Sequence, residues 1–328
     1  MPQRRTIVVG EDRPVLEAAL ASGLNIPHSC KSGHCGSCRA RLLQGRIEYP
    51  HGRPLGLSEG EEGEGFVLLC QARALTDLTV ELRQVASAAD AEIKTLPARI
   101  ARLRKLAPDV MQVFLRLPAV ERLDFAPGQY LDILIEGGRR RSFSIASPPH
   151  DSELIELHVR HVPGGSFTRR LFGALTDGAL LKIEGPLGQF VYREGTRPAL
   201  LIAGGTGFAP LKSMLRHALE GGSHRRFLLY WGARTPIDLY EEPLVLDWTR
   251  RHSQLTFVPV LSEADAPHGG SRRAGWVHEA VLADHPSLAP YDVYAAGPPA
   301  MIEAIRSTFP SRGLPADQLH FDSFDYAQ

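Results

Sequence analysis

The sequence predicts a multidomain protein with a small α+β unit, then an antiparallel β-barrel, then an α/β unit built on a parallel sheet. Its 328 residues are too many for one ordinary hydrophobic core, so two or three domains are expected. In the middle of the chain, short alternating runs are punctuated by glycine and proline, which is typical of antiparallel strands. Toward the C-terminus, apolar strands alternate with helical stretches, which indicates a parallel sheet covered by helices. These changes of pattern divide the chain into residues 1–87, 94–194 and 197–328.

Charge and hydropathy exclude several classes of partner. The 37 Lys and Arg residues balance 37 Asp and Glu residues, so neither nucleic acid nor an anionic membrane is expected to bind. No stretch of 18 apolar residues predicts a membrane-spanning helix. The N-terminus is basic but lacks the apolar segment of a signal peptide, so we expect a cytoplasmic protein.

The sequence of the first unit predicts one helix among short strands. Apolar residues recur at helical spacing over residues 12–22. Small polar residues at 86–94 predict a linker to the next unit. Alternating apolar runs predict strands at 5–10, on both sides of Gly45, at 66–72 and at 77–83.

Four cysteines occur in the chain, and their spacing indicates an iron–sulfur site. Cys30, Cys35 and Cys38 lie in one loop as C-x4-C-x2-C, and 31 residues separate Cys38 from Cys70. This is the plant-type spacing for a [2Fe–2S] cluster, whose irons need four thiolates. Three ligands from one loop would hold one side of the cluster, and the fourth would close the other side from a remote strand. The sequence therefore predicts that all four cysteines are metal ligands.

Two other uses of the cysteines compete with this interpretation. A zinc site made of four cysteines usually has two C-x2-C knuckles, and this chain has only one. Two disulfides suit a small secreted domain rather than a chain of this length. Gly33 and Gly36 favour the cluster, because glycine lets a loop turn tightly and direct N–H groups at sulfur.

The predicted barrel contains a candidate flavin site. Arg141, Ser142, Phe143 and Ser144 fall on one predicted strand. Farther on, the glycine pair at 164–165 precedes a predicted helix, whose free N–H groups and positive dipole end suit a pyrophosphate. Arg141 offers a charged fork to the same phosphates. Taken alone, each piece also fits a solvated strand face or an ordinary loop.

The third unit contains a candidate dinucleotide site. A glycine-rich turn, GGTG at 204–207, joins a buried strand to a helix and lets the backbone approach a pyrophosphate closely. It differs from the G-x-G-x-x-G fingerprint. A second turn, AGPP at 296–299, also follows a buried strand and precedes a helix, although by itself it is an ordinary tight turn.

Taken together, these motifs resemble a known family. The cysteine loop, RSFS (141–144), PGGSFT (163–168), GGTG and AGPP follow one another in the order typical of the ferredoxin–NAD(P)H reductase superfamily. More narrowly, the chain resembles reductases with an N-terminal ferredoxin module, of the benzoate-dioxygenase-reductase and CDP-6-deoxy-glucoseen reductase types. The resemblance covers essentially the whole chain. It implies a β-grasp ferredoxin domain, an antiparallel β-barrel domain that binds FAD, and a parallel-sheet α/β domain that binds the nicotinamide nucleotide.

The resemblance implies roles for residues of the flavin site. Arg141 is expected to hold the pyrophosphate, Phe143 to lie along the isoalloxazine ring, and Ser144 to hydrogen-bond flavin N5. Phe143 replaces the tyrosine that is usual in the family, so a hydroxyl contact to the ribityl chain is lost. The other residues implied to bind FAD are Ser142, Val159, Arg160, Gly165, Ser166 and Thr168.

The resemblance also implies roles in the nicotinamide site. Ala296 stands where the family commonly has a cysteine, so a thiol near the nicotinamide is absent. Arg234 suits a 2′-phosphate and Asp238 suits a bare ribose, which leaves NADH and NADPH open, with NADH favoured by the resemblance. A terminal aromatic residue, Phe324 or Tyr326, is expected to cover the flavin ring, and we favour Phe324. The residues implied to bind the nucleotide are Gly205, Thr206, Gly207, Arg234, Gly297, Pro298 and Met301, and those expected at the reacting atoms are Ser144, Thr206 and Phe324.

We therefore expect an NAD(P)H-dependent iron–sulfur flavoprotein reductase, in which electrons pass from NAD(P)H to FAD, to the [2Fe–2S] cluster and on to a partner enzyme. The expected partner is a radical dehydratase acting on a nucleotide sugar or, alternatively, an oxygenase component. Two other hypotheses stay open. One is a non-catalytic electron carrier or binding module whose nucleotide site has decayed, for which Ala296 and Phe143 are the support. The other is a diaphorase that reduces free acceptors.

Overall fold

The structure is a computed structural model that describes residues 5–24, 26, 28, 31, 33, 36, 38–54, 56, 57, 59–82, 92–263 and 272–324. Contacts divide the chain into two compact units, Met1–Ile93 and Lys94–Gln328. The second unit contains both the β-barrel and the parallel sheet. The three finer domain boundaries given above stay predictions.

The first unit is a small α+β fold. Its helices are α1 (Val15–Ala21) and α2 (Glu59–Gly63), and its strands are β1 (Arg39–Gln44), β2 (Ile47–Glu48), β3 (Phe66–Leu68), β4 (Arg73–Ala74) and β5 (Thr79–Glu81). Strand β1 is central in an antiparallel sheet of order β3–β1–β5, and β2 pairs with β4. Helix α1 buries Val15, Leu16 and Ala19 in a core that also contains Cys38 and Cys70.

One strand of the first unit differs from its prediction. The segment 5–10, which the structure describes in full, forms no β-ladder with another described strand. Its alternation is nevertheless visible, because Ile7 and Val9 pack partly buried against the core of the unit while Val8 is 92% exposed. Alternating burial alone therefore does not produce a strand. A strand also needs a neighbour whose backbone groups it can pair with.

The second unit begins with a six-stranded antiparallel barrel. Its strands are β6 (Lys94–Ala107), β7 (Val110–Arg116), β8 (Tyr130–Leu134), β9 (Arg140–Ser144), β10 (Ile155–Arg160) and β11 (Leu180–Leu187), and helix α3 spans Ser166–Gly173. The order is β10–β7–β6–β11–β8–β9, and a bridge between Ile145 and Leu157 brings the two ends together. Ile155, Leu157 and Val159 are fully buried in the barrel core. Because strand side chains alternate, the intervening residues of β10 lie on its outer face.

A parallel sheet with helices on both faces follows the barrel. Its strands are β12 (Ala199–Gly204), β13 (Phe227–Ala233), β14 (Leu255–Leu261), β15 (Arg273–Ala274), β16 (Asp292–Gly297) and β17 (Leu319–Ser323), and its helices are α4 (Phe208–Glu220), α5 (Glu242–Arg251), α6 (Val277–Asp284) and α7 (Pro299–Thr308). The strand order is β15–β14–β13–β12–β16–β17. Helices α4 and α5 cover one face, and α6 and α7 cover the other.

The strand order also indicates where a ligand would bind. Strand β12 lies between β13 and β16, so the chain moves outward from β12 first to one side and then to the other. In open α/β sheets, ligands bind at the carboxyl ends of the strands at such a switch point. Among the residues that the structure describes, no helix is both long enough and apolar enough to cross a bilayer.

Candidate active site

Two of the four predicted metal ligands lie together in the first unit. Cys38 and Cys70 are 2% and 5% exposed, and the backbone N–H of Cys70 donates to Cys38 Sγ over 3.4 Å. Hydrogen bonds of this kind stabilise a metal-bound thiolate and tune the potential of an iron–sulfur cluster. Cys30 and Cys35 lie outside the described residues, so their part in the ligand set stays a prediction.

The loop before Cys38 has the backbone geometry that the sequence predicts. Gly33 and Gly36 adopt φ angles of +83° and +72°, which glycine tolerates best. A Cβ atom at Gly33 would lie 2.8 Å from Pro54 Cβ and 2.9 Å from Gln71 Cγ, so no side chain fits there. Gln71 Nε2 donates to the carbonyl oxygen of Lys31 over 3.0 Å, which ties the loop to the segment carrying Cys70. The described residues therefore fit a [2Fe–2S] cluster.

The predicted flavin strand is β9. Ser142 donates its hydroxyl to Asp132 Oδ1 over 2.6 Å, and Phe143 packs against Phe167 with ring centroids 5.5 Å apart. Ser144 ends the strand and is 9% exposed. The bridge that follows Ser144, at Ile145, places this end of β9 beside β10.

The start of helix α3 offers a second part of the flavin site. Ser166 Oγ is buried and has no hydrogen-bond partner among the described residues, so its hydroxyl is available to a ligand. The neighbouring hydroxyl is used internally, since Thr168 Oγ1 accepts the N–H of Val162 over 3.2 Å. A Cβ atom at Gly165 would lie 2.8 Å from Thr168 Oγ1. An unpartnered hydroxyl at a helix N-terminus fits the pyrophosphate of FAD.

The two glycine-containing turns of the α/β part pack directly against each other. A Cβ atom at Gly207 would lie 1.9 Å from the carbonyl oxygen of Ala296, and one at Gly204 would lie 2.7 Å from Pro298 Cδ. Gly205 has a φ of +54°, and its carbonyl accepts the indole N–H of Trp231 over 3.0 Å. The sequence predicted both turns, and the structure places them at one edge of the sheet.

A cavity of about 480 Å³ opens at this edge. Thr206, Gly207 and Gly297 do not line it. Residues without a predicted role also line it, among them Trp276, which is 62% exposed just before α6. Its exposure is informative only once the fold is known, so no signal in the sequence identifies it. The predicted site residues that line the cavity are Arg160, Gly205, Arg234, Pro298 and Met301.

Arg160, which the resemblance assigns to FAD, lines this cavity from the barrel instead. Its Nε and Nη2 atoms are buried and have no hydrogen-bond partner among the described residues. Nε lies 3.6 Å from Asp109 Oδ2, and Nη2 lies 4.0 Å from Asp238 Oδ1. Buried guanidinium nitrogens without hydrogen bonds are costly, so this arrangement fits an anionic ligand.

Two opposite charges lie at the outer wall of the cavity. Asp238 is 6% exposed, and its Oδ2 accepts the backbone N–H and the hydroxyl of Thr235 over 3.0 and 2.9 Å. The Arg234 side chain is 61% exposed, and its Nε lies 4.0 Å from Asp238 Oδ2. The carboxylate is therefore fixed, whereas the guanidinium projects toward solvent.

Phe324 follows β17 at the same edge of the sheet. Its backbone N–H donates to the carbonyl of Gly297 over 2.9 Å, and its ring is half-buried against the apolar core beneath α4 and α5. Tyr326 lies outside the described residues. The structure thus places Phe324 beside the AGPP turn, and its contact with flavin stays a prediction.

Comparison with known proteins identifies the family. The 2Fe-2S iron-sulfur cluster binding domain matches residues 1–75, the oxidoreductase FAD-binding domain matches 97–192, and the oxidoreductase NAD-binding domain matches 201–307. Protein RfbI of Salmonella typhimurium is 38% identical over 314 residues, which cover 96% of this chain and 92% of that protein. The chain belongs to the ferredoxin–NAD(P)H reductase superfamily.

Further relatives agree with this assignment. The CDP-6-deoxy-L-threo-D-glycero-4-hexulose-3-dehydrase reductase of Yersinia pestis is 37% identical over 310 residues, covering 94% of this chain and 92% of that one. The crystal structure of the Amycolatopsis cytochrome P450 reductase GcoB matches with a TM-score of 0.80 at 35% identity, over 98% of this chain and 96% of that one.

These comparisons confirm the predicted fold class, cofactors and activity. The protein is an oxidoreductase that uses a [2Fe–2S] cluster, FAD and a nicotinamide nucleotide. It transfers electrons from NAD(P)H through FAD and the cluster to a downstream redox enzyme, as a reductase component does. The roles of individual site residues stay predictions.

Proposed function

We propose that the cavity at the carboxyl ends of β12 and β13 binds NADH, and that the electrons pass to a dehydratase acting on a nucleotide-linked hexulose. The observation that supports the nucleotide site best is the meeting of three separate segments in one cavity. Arg160 comes from the barrel, Gly205 from the first glycine turn and Pro298 from the second.

Different residues of the cavity would bind different parts of the nucleotide. Arg160 would neutralise phosphate charge, because its buried nitrogens lack hydrogen-bond partners among the described residues. Gly205 would let the backbone approach the pyrophosphate, and Pro298 and Met301 would bound the nicotinamide end.

On the barrel, the residues that would hold FAD are Arg141, Ser144 and Ser166, and the cluster would be held by Cys30, Cys35, Cys38 and Cys70. When bound, flavin and cluster together convert a two-electron hydride donor into a source of single electrons. The protein's own contribution is to bind and orient each of these groups.

The preference for NADH rests on Asp238. Its carboxylate is held in the cavity wall by Thr235, where it would accept a ribose hydroxyl and repel a 2′-phosphate. Arg234, the residue that would favour NADPH, is mostly exposed to solvent. The ratio of kcat/KM for NADH to that for NADPH tests this preference, and a ratio below one would contradict it.

The dehydratase partner is supported by a relative that is named as a dehydrase reductase and is 37% identical over nearly the whole chain. The runner-up is an oxygenase partner, supported by the structural match to a cytochrome P450 reductase at 35% identity. The two percentages are close, so a direct experiment is needed.

Reconstitution distinguishes the two partners. The purified chain and NADH are mixed either with a CDP-6-deoxy-hexulose 3-dehydrase and its sugar nucleotide, or with a cytochrome P450 and its substrate. We expect sugar-product formation coupled to NADH oxidation in the first mixture and uncoupled oxidation in the second. Coupling to the P450 alone would overturn the proposed partner. Reduction of cytochrome c with coupling to neither would favour a diaphorase.

A further inference from the structure

A buried charged cluster lies between β10 of the barrel and helices α4 and α5 of the α/β part. We call it the Lys212 cluster, and it consists of Glu156, His158, Lys212 and Glu241. Lys212 Nζ lies 2.8 Å from Glu156 Oε1, and 2.9 and 2.7 Å from the two carboxylate oxygens of Glu241. His158 Nε2 lies 2.9 Å from Glu156 Oε1. All four residues are at most 6% exposed.

The cluster already contains its own cation. The ligand atoms of Glu156, His158 and Glu241 lie within 4.8 Å of one another, which is close enough to hold a metal ion. The Lys212 ammonium, however, makes three short contacts to carboxylate oxygens, as many as it has donors. A metal ion is therefore unnecessary. The tethered ammonium compensates one of the two negative charges, and Arg104 Nη2 lies 3.7 Å from Glu241 Oε1.

The charges of the cluster come from both parts of the second unit. Glu156 and His158 belong to the barrel, whereas Lys212 and Glu241 belong to the α/β part. Burial by itself would raise the pKa of Glu156, but hydrogen bonds and positive charge from His158 and Lys212 outweigh it and hold the pKa well below the ordinary value of 4.5. Glu156 therefore depends on Lys212 across this boundary, and Glu241 Oε2 lies 3.6 Å from His158 Nε2 across it. Removing Lys212 would leave two buried carboxylates with much less compensation.

Strand β10 connects the cluster to the nucleotide cavity. Glu156, His158 and Arg160 share the outer face of the strand, because side chains alternate while Leu157 and Val159 point into the barrel core. The first two residues bind α4 and the segment before α5, and the third lines the cavity. One rigid strand therefore carries both the attachment and the ligand-binding arginine.

A chain of aromatic side chains makes the same connection on the α/β side. His158 Nδ1 lies 3.0 Å from the Tyr240 hydroxyl, and the Tyr240 ring meets Trp231 edge-on with centroids 5.1 Å apart. Trp231 donates to the carbonyl of Gly205 in the glycine turn and stacks on Phe208, the first residue of α4, at 4.0 Å. The cluster thus contacts the turn that lines the cavity through packed side chains.

We propose that the Lys212 cluster fixes the glycine turn and α4 on β10, and so sets the distance between nicotinamide and flavin during hydride transfer. Lys212 is then a positioning residue for that step. Hydride transfer requires reacting atoms about 3–3.5 Å apart, and a displacement of about 1 Å costs on the order of 100-fold in rate. The inference rests on the proposed nucleotide site.

The test compares Lys212→Met with the matched control Lys182→Met, whose side chain is exposed on β11. Flavin reduction is followed anaerobically by rapid mixing with saturating NADH. We expect Lys212→Met to slow it about 10- to 100-fold, to change the Kd for NAD+ by less than about threefold, and to leave the flavin content unchanged. The control should match the wild type.

A second measurement does not depend on turnover. Amide hydrogen exchange in the full-length protein without nucleotide should become faster in Lys212→Met over residues 155–160 and 205–214, and should stay unchanged in Lys182→Met. Unchanged exchange together with a wild-type rate of flavin reduction would overturn the inference.

A double variant separates positioning from stability. Lys212→Met/Glu241→Gln removes one of the two carboxylates that lose the ammonium, so its Tm should recover toward that of the wild type. Its flavin-reduction rate should stay at least about tenfold low, because no ammonium spans the two parts. A rate that recovers together with Tm would show a merely structural role. If NADH fails to reduce even the wild type, the proposed function is wrong, whereas a reducible wild type with an equally fast Lys212→Met contradicts only this inference.

Discussion

Two buried ionic clusters of the second unit differ in what they join. The Lys212 cluster joins the barrel to the α/β part, whereas the ion pair of Arg225 with Asp292 lies at the amino end of the parallel sheet. Arg225 precedes β13 and Asp292 begins β16, so their contact spans β12, the strand between them. Both clusters need all their charges, because a buried charge without a partner is costly. Only the first, however, shares a strand with a residue that lines the cavity, since β10 carries both Glu156 and Arg160.

The Arg225 pair shows what such an interaction does away from a site. Arg225 Nε donates to the carbonyl of Arg197 over 2.6 Å, and Nη1 donates to the carbonyl of Arg193 over 2.8 Å. Its guanidinium also lies 5.5 Å from the centre of the Tyr192 ring. These contacts hold the segment that leads from the barrel into β12. We infer that the Arg225 pair contributes mainly to stability at the amino end of the sheet. The Lys212 cluster, by the same kind of interaction, maintains the position of the glycine turn near the carboxyl end.

The largest expected effect is on stability at the amino end. Arg225→Met leaves Asp292 with only the more exposed Arg197, whose Nε lies 2.9 Å from Asp292 Oδ1, and should lower the free energy of unfolding by about 3 kcal/mol. Denaturant unfolding measures this, with the exposed neighbour Arg226→Met as a control that should change it by less than about 0.5 kcal/mol. At a temperature where Arg225→Met is folded, NADH should reduce its flavin at a rate within about twofold of the wild type. A slow flavin reduction like that expected for Lys212→Met would contradict the division between the two clusters.

A steric change at the carboxyl end of the parallel sheet should lower stability by nearly as much. In Gly207→Ala the new methyl group would meet the backbone carbonyl of Ala296, which cannot rotate away, so the glycine turn must shift. We expect a loss of about 1–3 kcal/mol in the free energy of unfolding and a weaker affinity for NAD+. Gly173→Ala is the matched control, because nothing lies within 4 Å of its Cβ position. Calorimetric titration with NAD+ measures the affinity, and equal affinities in the two variants would show that the turn is not at the nucleotide.

Substitution of Arg160 should weaken the binding of NADH. Arg160→Leu should raise the KM for NADH about tenfold or more, equivalent to about 1.4 kcal/mol, with a smaller effect on kcat. Arg116→Leu, on the exposed face of neighbouring β7, serves as the control. Steady-state kinetics with ferricyanide as acceptor measure both. A KM unchanged in Arg160→Leu would remove Arg160 from the nucleotide site.

Much of this arrangement was predictable from local sequence. The glycine turns at 204–207 and 296–299 fall between a strand and a helix, as their flanking apolar patterns indicate. The cysteine spacing and the strand at 141–144 also belong to short, local signals. Such features follow from backbone preferences and the alternation of apolar residues, which a single segment contains in full.

The Lys212 cluster was not predictable in this way. Lys212 lies 56 residues from Glu156 and 29 residues from Glu241 in the chain, and no local pattern connects them. The alternation in IELHVR (155–160) identifies one apolar face of a strand, but Glu, His and Arg on the other face are typical of a surface exposed to solvent. Only the packing of the α/β part on the barrel buries that face.

Near neutral pH the smallest expected effect comes from His320, because its contribution to stability changes only in acid. Burial, together with the positive charges of Arg193 and Arg225, lowers the pKa of His320 from 6.5 to about 4. The unfolded chain therefore binds a proton between these values that the folded protein does not, and stability falls as the pH falls through this interval. His320 should account for about 2 kcal/mol of the loss between pH 6.5 and 4.5.

The matched variant is His320→Gln, whose Tm should fall less over this interval. The low pKa of Glu156 keeps its carboxylate charged there, so the Lys212 cluster should contribute no pH dependence of its own through that group. Thermal unfolding at several pH values checks both statements. An identical slope in wild type and His320→Gln would contradict the assignment to His320.

The central claim, that electrons from a nicotinamide nucleotide reach a [2Fe–2S] cluster held by the four cysteines, can be tested by one measurement. The purified protein is titrated anaerobically with NADH and examined by low-temperature electron paramagnetic resonance, with Cys38→Ser as the comparison. We predict the signal of a reduced [2Fe–2S] cluster in the wild type, and bleaching of flavin absorbance without that signal in Cys38→Ser. Flavin bleaching in the wild type without any cluster signal, in protein that contains stoichiometric iron and sulfide, would contradict the account.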